Sequence, residues 1–272
     1  MQELETLGFH PREYELFKGF IERPHGIILV TGPTGSGKTT TLYSALKYLC
    51  APSVNITTIE DPIEMVYEDF NQVSVQPKVD MTFANILRTI LRQDPDIIMV
   101  GEIRDHETAQ NAVQSALTGH LVFSTLHTND AASTVIRLLN MGIEPVLISA
   151  TLRLVIAQRL LRKICPQCRV PYEVSGDELK ALGVSLNLDP KSTVRLFKGK
   201  GCEACGRTGY KGRSGIYEVL EINEEMRQLI VRRAPPYEIR MAAVRTGVAS
   251  LREVAVKKLL SGITTVDEVI RV

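Results

Sequence analysis

The sequence lacks tryptophan, and its charge is nearly balanced, with 32 lysines and arginines against 31 aspartates and glutamates. This balance gives no sign of the broad basic surface that nucleic-acid binding favours, although a local basic patch would be compatible with it. The N-terminus also lacks the basic and then apolar pattern of a signal peptide. We find no internal repeat and no low-complexity segment. We therefore expect a soluble cytosolic protein whose five cysteines are reduced.

An uninterrupted apolar run of membrane-spanning length is also missing. The longest apolar stretch, residues 146–164, is interrupted by Arg153, Gln158, Arg159 and Arg162. Charged side chains at this density are costly inside a bilayer. We interpret the stretch as a buried or interfacial helix rather than a membrane span.

One segment matches the phosphate-binding P-loop pattern G-x-x-x-x-G-K-[ST], and it consists of Gly32, Pro33, Thr34, Gly35, Ser36, Gly37, Lys38 and Thr39. An apolar strand is predicted before it at residues 26–30, and a helix is predicted to begin at Thr40. The alternative, a glycine-rich turn that matches by chance, does not explain this strand–loop–helix context. Thr40 is included with the loop as a nucleotide-binding candidate.

The chemistry of a P-loop follows from its residue types. Glycines allow successive backbone N–H groups to converge on an anion, and the helix N-terminus adds a positive dipole end. We expect Lys38 to reach the β- and γ-phosphates of a nucleoside triphosphate and the Thr39 hydroxyl to hold Mg²⁺.

Short apolar strands alternate with helical patterns through the first part of the chain. Strands are predicted at residues 26–30, 55–59, 97–100 and 121–125, with helices around residues 83–91, 105–117 and 130–141. Asp105 is placed to cap the second of these helices. The alternation predicts an α/β fold with a mainly parallel sheet covered by helices.

The composition changes near Leu160, where cysteines, prolines and glycines become frequent, and the chain is predicted to be helical again beyond Tyr217. We divide it into a core at residues 1–158, a cysteine-containing insert at 159–216 and a helical C-terminal part at 217–272. Two capping boxes are predicted in the last part, and they pair Ser250 with Glu253 and Thr265 with Glu268.

The carboxylates that could complete a nucleotide site follow two predicted strands. Residues 97–100 end in Gly101 and Glu102, at the sheet edge where α/β folds bind ligands. Many P-loop enzymes have an aspartate that helps to hold Mg²⁺ at the position where this chain has Gly101. The acid here is the next residue, Glu102, and we expect it to polarise the attacking water. The alternative is an acid that only ends a strand in solvent. Arg104 could pair with Glu102 or with a phosphate.

A second acidic group, Glu60, Asp61 and Glu64, follows the predicted strand at residues 55–59. Three acids within five positions suit the handling of a metal ion or a water molecule, whereas a solvated acidic turn is the alternative. Glu60 and Glu64 could each assist Mg²⁺ or the water, and the sequence does not separate these roles.

His127 ends another predicted buried strand. It could sense the γ-phosphate or report to a neighbouring subunit, or it could be an ordinary core histidine. We expect His120, at the start of the same strand, to be structural.

Two C-x-x-C pairs, Cys165 with Cys168 and Cys202 with Cys205, supply four thiolates. Their spacing favours a structural Zn²⁺ site over a disulfide pair or a redox site, although the gap between the pairs is longer than in many zinc ribbons. We expect zinc to fold a small loop-rich module. Cys50 is expected to pack as a small apolar residue.

Together these segments resemble the hexameric ATPases of bacterial type II secretion and type IV pilus assembly (GspE/PilB-like), over nearly the whole chain. Residues 32–39 match the family's Walker A motif, 59–64 its Asp box, 94–105 its atypical Walker B motif and 118–129 its His box. The paired C-x-x-C resembles the secretion and pilus-extension branch more than retraction or type IV secretion ATPases.

The resemblance implies a RecA-like P-loop core that uses ATP and Mg²⁺, a tetracysteine Zn²⁺ module and a small helical C-terminal subdomain. It implies a homo-hexamer that drives an inner-membrane platform protein to extrude pilin or pseudopilin subunits. A membrane-anchored recruiting protein would hold it at the cytoplasmic face of the bacterial inner membrane. By the same resemblance Glu102 is the catalytic acid, Glu64 its helper and His127 a γ-phosphate or interface residue.

Members of that family carry a domain before the core that supplies arginines to the nucleotide site, whereas the P-loop here begins at Gly32. We therefore expect this chain to correspond to the ATPase domain and to bind ATP more readily than it hydrolyses it. Arginine fingers contribute up to about 10³–10⁵ in rate in other P-loop enzymes. A DNA-translocating ATPase and a non-catalytic nucleotide-sensing module are the alternatives, and neither binding of nucleic acid nor a transmembrane segment is expected.

Overall fold

The computed structural model of the chain describes residues 2–181, 183–184 and 192–272. Their helices and strands follow one another as α1 (Pro11–Ile21), β1 (Gly26–Thr31), α2 (Lys38–Leu49), β2 (Ile56–Glu60), β3 (Asn71–Ser74), α3 (Phe83–Ile90), β4 (Ile97–Val100), α4 (His106–Leu117), β5 (Leu121–Leu126), α5 (Ala131–Asn140), α6 (Pro145–Thr151), β6 (Leu152–Ile164), β7 (Arg169–Ser175), α7 (Gly176–Ala181), β8 (Thr193–Gly199), β9 (Tyr210–Glu221), α8 (Glu224–Val231), α9 (Pro236–Arg245), α10 (Leu251–Leu260) and α11 (Val266–Arg271).

Seven strands form one sheet in the order β3–β2–β4–β5–β1–β6–β9. The pairs from β3 through to β6 are all parallel. Every residue of β1, β2, β4 and β5 is buried, as expected for parallel strands that are covered on both faces. The prediction of a mainly parallel α/β fold is confirmed.

The internal contacts of the chain divide it into two compact units. The first contains Met1–Gln158 and Glu218–Val248, and the second contains Arg159–Tyr217 and Ala249–Val272. The three-part division at residues 1–158, 159–216 and 217–272 stays a prediction.

Helix capping in the first unit follows the sequence. The Asp105 side chain accepts a hydrogen bond from the Thr108 backbone N–H at the start of α4, as predicted, and Asp130 accepts one from Ser133 at the start of α5. Gly119 and Gly142, which follow these two helices, adopt left-handed φ angles of 108° and 87°.

The interpretation of residues 146–164 as one helix is wrong. The chain is helical only in α6 and then continues as the long strand β6. β6 pairs with β1, with Ile27 opposite Leu152 and Thr31 opposite Ala157. Strand pairing satisfies the backbone of this apolar segment, so tertiary context overrides a pattern that a buried helix and a buried strand share. No helix of the described residues combines the length and the hydropathy needed to cross a membrane.

The second unit contains a strand pair that the sequence did not suggest. β7 and β8 pair antiparallel, with Arg169 opposite Gly199 and Ser175 opposite Thr193. β9 also extends to Glu221, so the chain becomes helical only after that residue rather than directly beyond Tyr217.

Of the two predicted capping boxes, one is confirmed and one is wrong. Ser250 and Glu253 form both reciprocal bonds at the start of α10. Thr265 makes no capping bond at α11, and the Glu268 carboxylate accepts hydrogen bonds from the Arg162 backbone and side chain rather than from the helix start. The Thr265 hydroxyl lies 2.8 Å from the Tyr210 hydroxyl.

Candidate active site

The P-loop connects β1 to α2 and lies at the carboxyl edge of the sheet. Gly32, Gly35 and Gly37 adopt φ angles of 146°, 77° and 88°, which residues with a Cβ rarely tolerate. The glycines therefore permit the tight turn that ends at the first residue of α2, Lys38.

Lys38 lies across the loop that precedes it. Its Nζ donates to the carbonyl oxygens of Gly32 at 2.8 Å and Pro33 at 3.1 Å. Burial lowers the pKa of this amine, which has no carboxylate partner among the described residues. A half-buried cation that contacts only carbonyl oxygens is a suitable partner for an anion.

The remaining P-loop candidates lie beside Lys38. Thr39 and Thr40 occupy the first turn of α2 and are partly exposed, while Pro33 and Thr34 are exposed in the loop. The hydroxyl of Thr39 is thus placed next to the candidate phosphate-binding loop.

Glu102 follows β4 at the same edge, and its side chain is only 12% exposed. One carboxylate oxygen pairs with the Arg104 guanidinium, and the other lies 3.1 Å from Nε2 of His127. Arg104 also lies 3.8 Å from the Asp61 carboxylate. The structure thus brings together Glu102, Arg104, His127 and Asp61 from the ends of three strands.

Burial, Lys38 and Arg104 together hold the pKa of His127 below its usual value of 6.5. The nearby positive charges disfavour the imidazolium form. The neutral ring is therefore favoured, and with its proton on Nε2 it would donate to the Glu102 carboxylate 3.1 Å away.

The glycine before Glu102 has a packing explanation. The Gly101 N–H donates to the Ile59 carbonyl at 2.8 Å, and a Cβ at position 101 would lie 3.0 Å from that same oxygen. β2 therefore approaches this position closely, and the acid is carried by the next residue.

Glu60 does not join the Glu102 group. Its carboxylate is buried and accepts hydrogen bonds from Tyr43 at 2.6 and 2.7 Å, Thr58 at 2.6 Å and Gln72 at 3.1 Å. Burial and this carboxylate raise the pKa of Tyr43. Glu60 therefore anchors the start of the acidic turn to α2 and β3, and Glu64 is exposed farther along that turn.

Sequence reasoning missed the hydroxyls that join the strand ends. The Thr31 hydroxyl contacts the Leu126 carbonyl at 2.9 Å and the Thr128 hydroxyl at 2.7 Å, and so connects the end of β1 to the residues after β5. The Thr125 hydroxyl donates to the Gly101 carbonyl at 2.7 Å. Threonine is common in strands, so these positions gave no signal in the sequence.

Gln158 was also missed. It is a buried residue of β6 whose amide bonds the Ser36 carbonyl and the Thr41 hydroxyl. A polar residue in an apolar stretch was the available signal, but the stretch was assigned to a helix.

The four cysteines predicted to bind zinc form one cluster in the second unit. Their sulfur atoms all lie within 4.8 Å of one another, and the structure records all four as free thiols. The distances are 3.8 Å for Cys165–Cys202, 3.9 Å for Cys168–Cys205 and 3.7 Å for Cys202–Cys205. Four thiolates at about 2.3 Å from one tetrahedral ion would lie ~3.8 Å apart, so the donor set fits zinc.

Backbone N–H groups surround the same sulfur atoms. Gly201 donates to Cys168, and both Cys202 and Gly209 donate to Cys205, at 3.2–3.3 Å. The Cys202 N–H is the main cause that lowers the pKa of Cys205 to about 6, whereas burial raises that of Cys168 to about 11. These donors stabilise the thiolate form that a metal requires.

The family model described as "Type II/IV secretion system protein" matches residues 1–271. The chain belongs to this family. Its relatives include the type IV pilus assembly ATPase PilB of Thermus thermophilus, which is 51% identical over 98% of this chain and 30% of its own length. The type II secretion system protein E of Pseudomonas aeruginosa is 51% identical over 99% of this chain and 53% of its own length.

Two solved structures of related ATPases have a similar fold. The pilus retraction motor PilT with bound ADP superposes with a TM-score of 0.71 and 30% identity, over 100% of this chain and 66% of that one. The ATPase DotB of Legionella pneumophila superposes with a TM-score of 0.70 and 27% identity, over 98% of this chain and 64% of that one. The chain spans about half or less of the length of these curated secretion-family relatives.

Proposed function

We propose that the chain is the ATP-hydrolysing domain of a bacterial type II secretion or type IV pilus assembly motor. The proposal is carried by one arrangement at the carboxyl edge of the sheet. The P-loop follows β1, and Glu102 follows β4 with both carboxylate oxygens in contact with Arg104 and His127. The family membership and the relatives named as ATPases support it.

Nucleotide binding would use the uncompensated charge of the P-loop. The loop N–H groups and Lys38 would bind the phosphates, with Lys38 exchanging its two carbonyl acceptors for phosphate oxygens. The Thr39 hydroxyl would hold Mg²⁺, which supplies charge neutralisation on the β- and γ-phosphates when bound.

Hydrolysis would use Glu102 as the general base. Each of its oxygens retains a lone pair beyond its present contact, so it can accept a proton from water. The water oxygen bonds to the γ-phosphorus, the bond from that phosphorus to the ADP oxygen breaks, and Glu102 takes the proton. Glu64 and Asp61 are proposed as helpers at this edge, and His127 as a γ-phosphate or interface residue.

The rest of the proposal concerns the assembled machine. The four cysteines are proposed to bind one structural Zn²⁺, which the sulfur spacing supports. We propose a homo-hexamer at the cytoplasmic face of the inner membrane. Its partners would be a platform protein, which extrudes pilin or pseudopilin subunits, and a membrane-anchored recruiting protein. A closed ring suits sites that lie between subunits.

The experiment is to measure ATP affinity and phosphate release with Mg²⁺, in the presence and absence of DNA. We expect submillimolar ATP binding, slow turnover and no effect of DNA. Stimulation by DNA would favour a translocating ATPase, and binding without any turnover under conditions that assemble the ring would favour a nucleotide-sensing module.

A further inference from the structure

Gln158 carries a side-chain amide directly after an apolar run in β6. Gln158 is 2% exposed, and the four residues before it are fully buried: Leu154, Val155, Ile156 and Ala157. A buried amide costs free energy unless its polar atoms are bonded, so its partners indicate its role.

Both ends of this amide contact the P-loop region. Nε2 donates to the Ser36 carbonyl at 2.9 Å, and Oε1 accepts from the Thr41 hydroxyl at 2.8 Å. Ser36 lies in the loop and Thr41 in the first turns of α2, so one side chain connects the loop to the helix that follows it.

The backbone of the same residue contacts the start of the loop. A Cβ at Gly32 would lie 2.4 Å from the Gln158 carbonyl oxygen. Since Thr31 is opposite Ala157 in the parallel register, Gly32 emerges directly beside Gln158. Gln158 therefore contacts both ends of the loop.

The bond to Ser36 sets the direction of a loop N–H group. The Ser36–Gly37 peptide is planar and trans, so its carbonyl and its N–H point in opposite directions. When Gln158 holds the Ser36 carbonyl, the Gly37 N–H is directed away from β6. Convergent N–H groups of this kind bind phosphate in P-loops.

We propose that Gln158 is the positioning residue that holds the phosphate-binding loop ready for its ligand, through the Ser36 carbonyl. The importance of this role for ATP binding rests on the proposed function, whereas the effect on the loop does not. A purely structural residue would stabilise the fold without a specific effect on the loop.

The test compares Gln158→Met with Asn111→Leu in the full chain. Methionine has a similar volume and removes both hydrogen bonds. Asn111 is the matched control, because it is a partly buried amide of α4 in the same unit, and its Nδ2 donates to the Ala84 carbonyl on α3. Thermal unfolding of both variants reports any general loss of stability.

The first readout is amide hydrogen exchange of peptides that cover residues 32–41, without nucleotide. We expect at least a fivefold faster exchange in Gln158→Met and no change there in Asn111→Leu. Equal exchange in the Gln158→Met variant and the wild type would overturn the proposal. This exchange measurement is made without nucleotide, so it tests the role of Gln158 whether or not the wild type binds ATP. Failure of the wild type to bind ATP would refute the proposed function and not the role of Gln158 in the loop.

The second readout is the dissociation constant for ADP. Loss of an oriented loop N–H is expected to raise it about tenfold in Gln158→Met, since one hydrogen bond to a charged group contributes roughly that factor. An unchanged constant, or an equal rise in Asn111→Leu, would show that Gln158 is only structural.

Discussion

At the scale of single residues, the candidate site combines two features that rarely persist without a function. Lys38 is a half-buried cation without a carboxylate partner among the described residues. Glu102 is a nearly buried carboxylate held by one cation and one neutral histidine. In the proposed function Lys38 binds the phosphates and Glu102 is the base.

Replacement of Lys38 by alanine should weaken ATP binding. The loop loses its only side-chain cation, and a charge-assisted hydrogen bond contributes enough to raise the dissociation constant at least about tenfold. Calorimetric titration with ATP measures this. Unchanged affinity would rule out the P-loop as the phosphate site, and Lys47→Ala, an exposed lysine at the far end of α2, is the control.

Glu102→Gln should separate binding from hydrolysis. Glutamine keeps the shape but cannot accept the proton, so turnover should fall by about 100-fold or more while ATP affinity changes little. Phosphate release and ATP titration of the same preparation measure the two effects. A parallel loss of affinity would mean that Glu102 is mainly a metal ligand.

The titration of His127 follows from its neighbours. Burial and the charges of Lys38 and Arg104 disfavour the protonated ring, so the NMR midpoint of its C2 proton should lie below 6.5. Lys38→Met removes one positive charge and should shift the midpoint upwards. A midpoint above 6.5 in the wild type would indicate that the Glu102 charge dominates instead.

At the scale of elements, two helices that begin with the same sequence pattern are capped differently. Ser250 with Glu253 and Thr265 with Glu268 share the same capping-box spacing, but only the first caps its helix. Glu268 is 1% exposed and bonds Arg162 and Arg271. Local spacing favours a cap, but the buried position beside β6 offers Glu268 stronger partners.

This difference predicts unequal costs of two matched substitutions. Glu253→Ala should lower the free energy of unfolding by about 0.5–1 kcal/mol through loss of one capping interaction. Glu268→Ala should cost about 2 kcal/mol or more, because it removes a buried carboxylate that accepts hydrogen bonds from the Arg162 backbone N–H and from the Arg162 and Arg271 side chains. Urea unfolding measures both, and equal costs would contradict the assignment.

At the scale of the whole molecule, the four cysteines come from two segments far apart in the chain. Elemental analysis should find about one zinc per chain, and a chelator should destabilise the second unit because metal binding supplies folding free energy to a small module. Cys168→Ser should weaken zinc retention, whereas Cys50→Ser should not. A well-folded protein without metal would refute the zinc site.

The sequence alone predicted the candidate site residues of the chain and much of its fold. Glycine and lysine spacing specified the P-loop, paired cysteines specified the cluster, and alternating strands and helices specified a parallel sheet, because these signals are local. The same logic placed Glu102 and His127 at one edge, since parallel strands end together.

Only the tertiary structure decided which groups meet. It turned Glu60 inwards to Tyr43 and Gln72, and it made residues 152–164 a strand rather than a helix. It also placed Gln158 against the loop. These outcomes depend on partners distant in sequence, and an apolar run carries the same local pattern in a buried strand and in a buried helix.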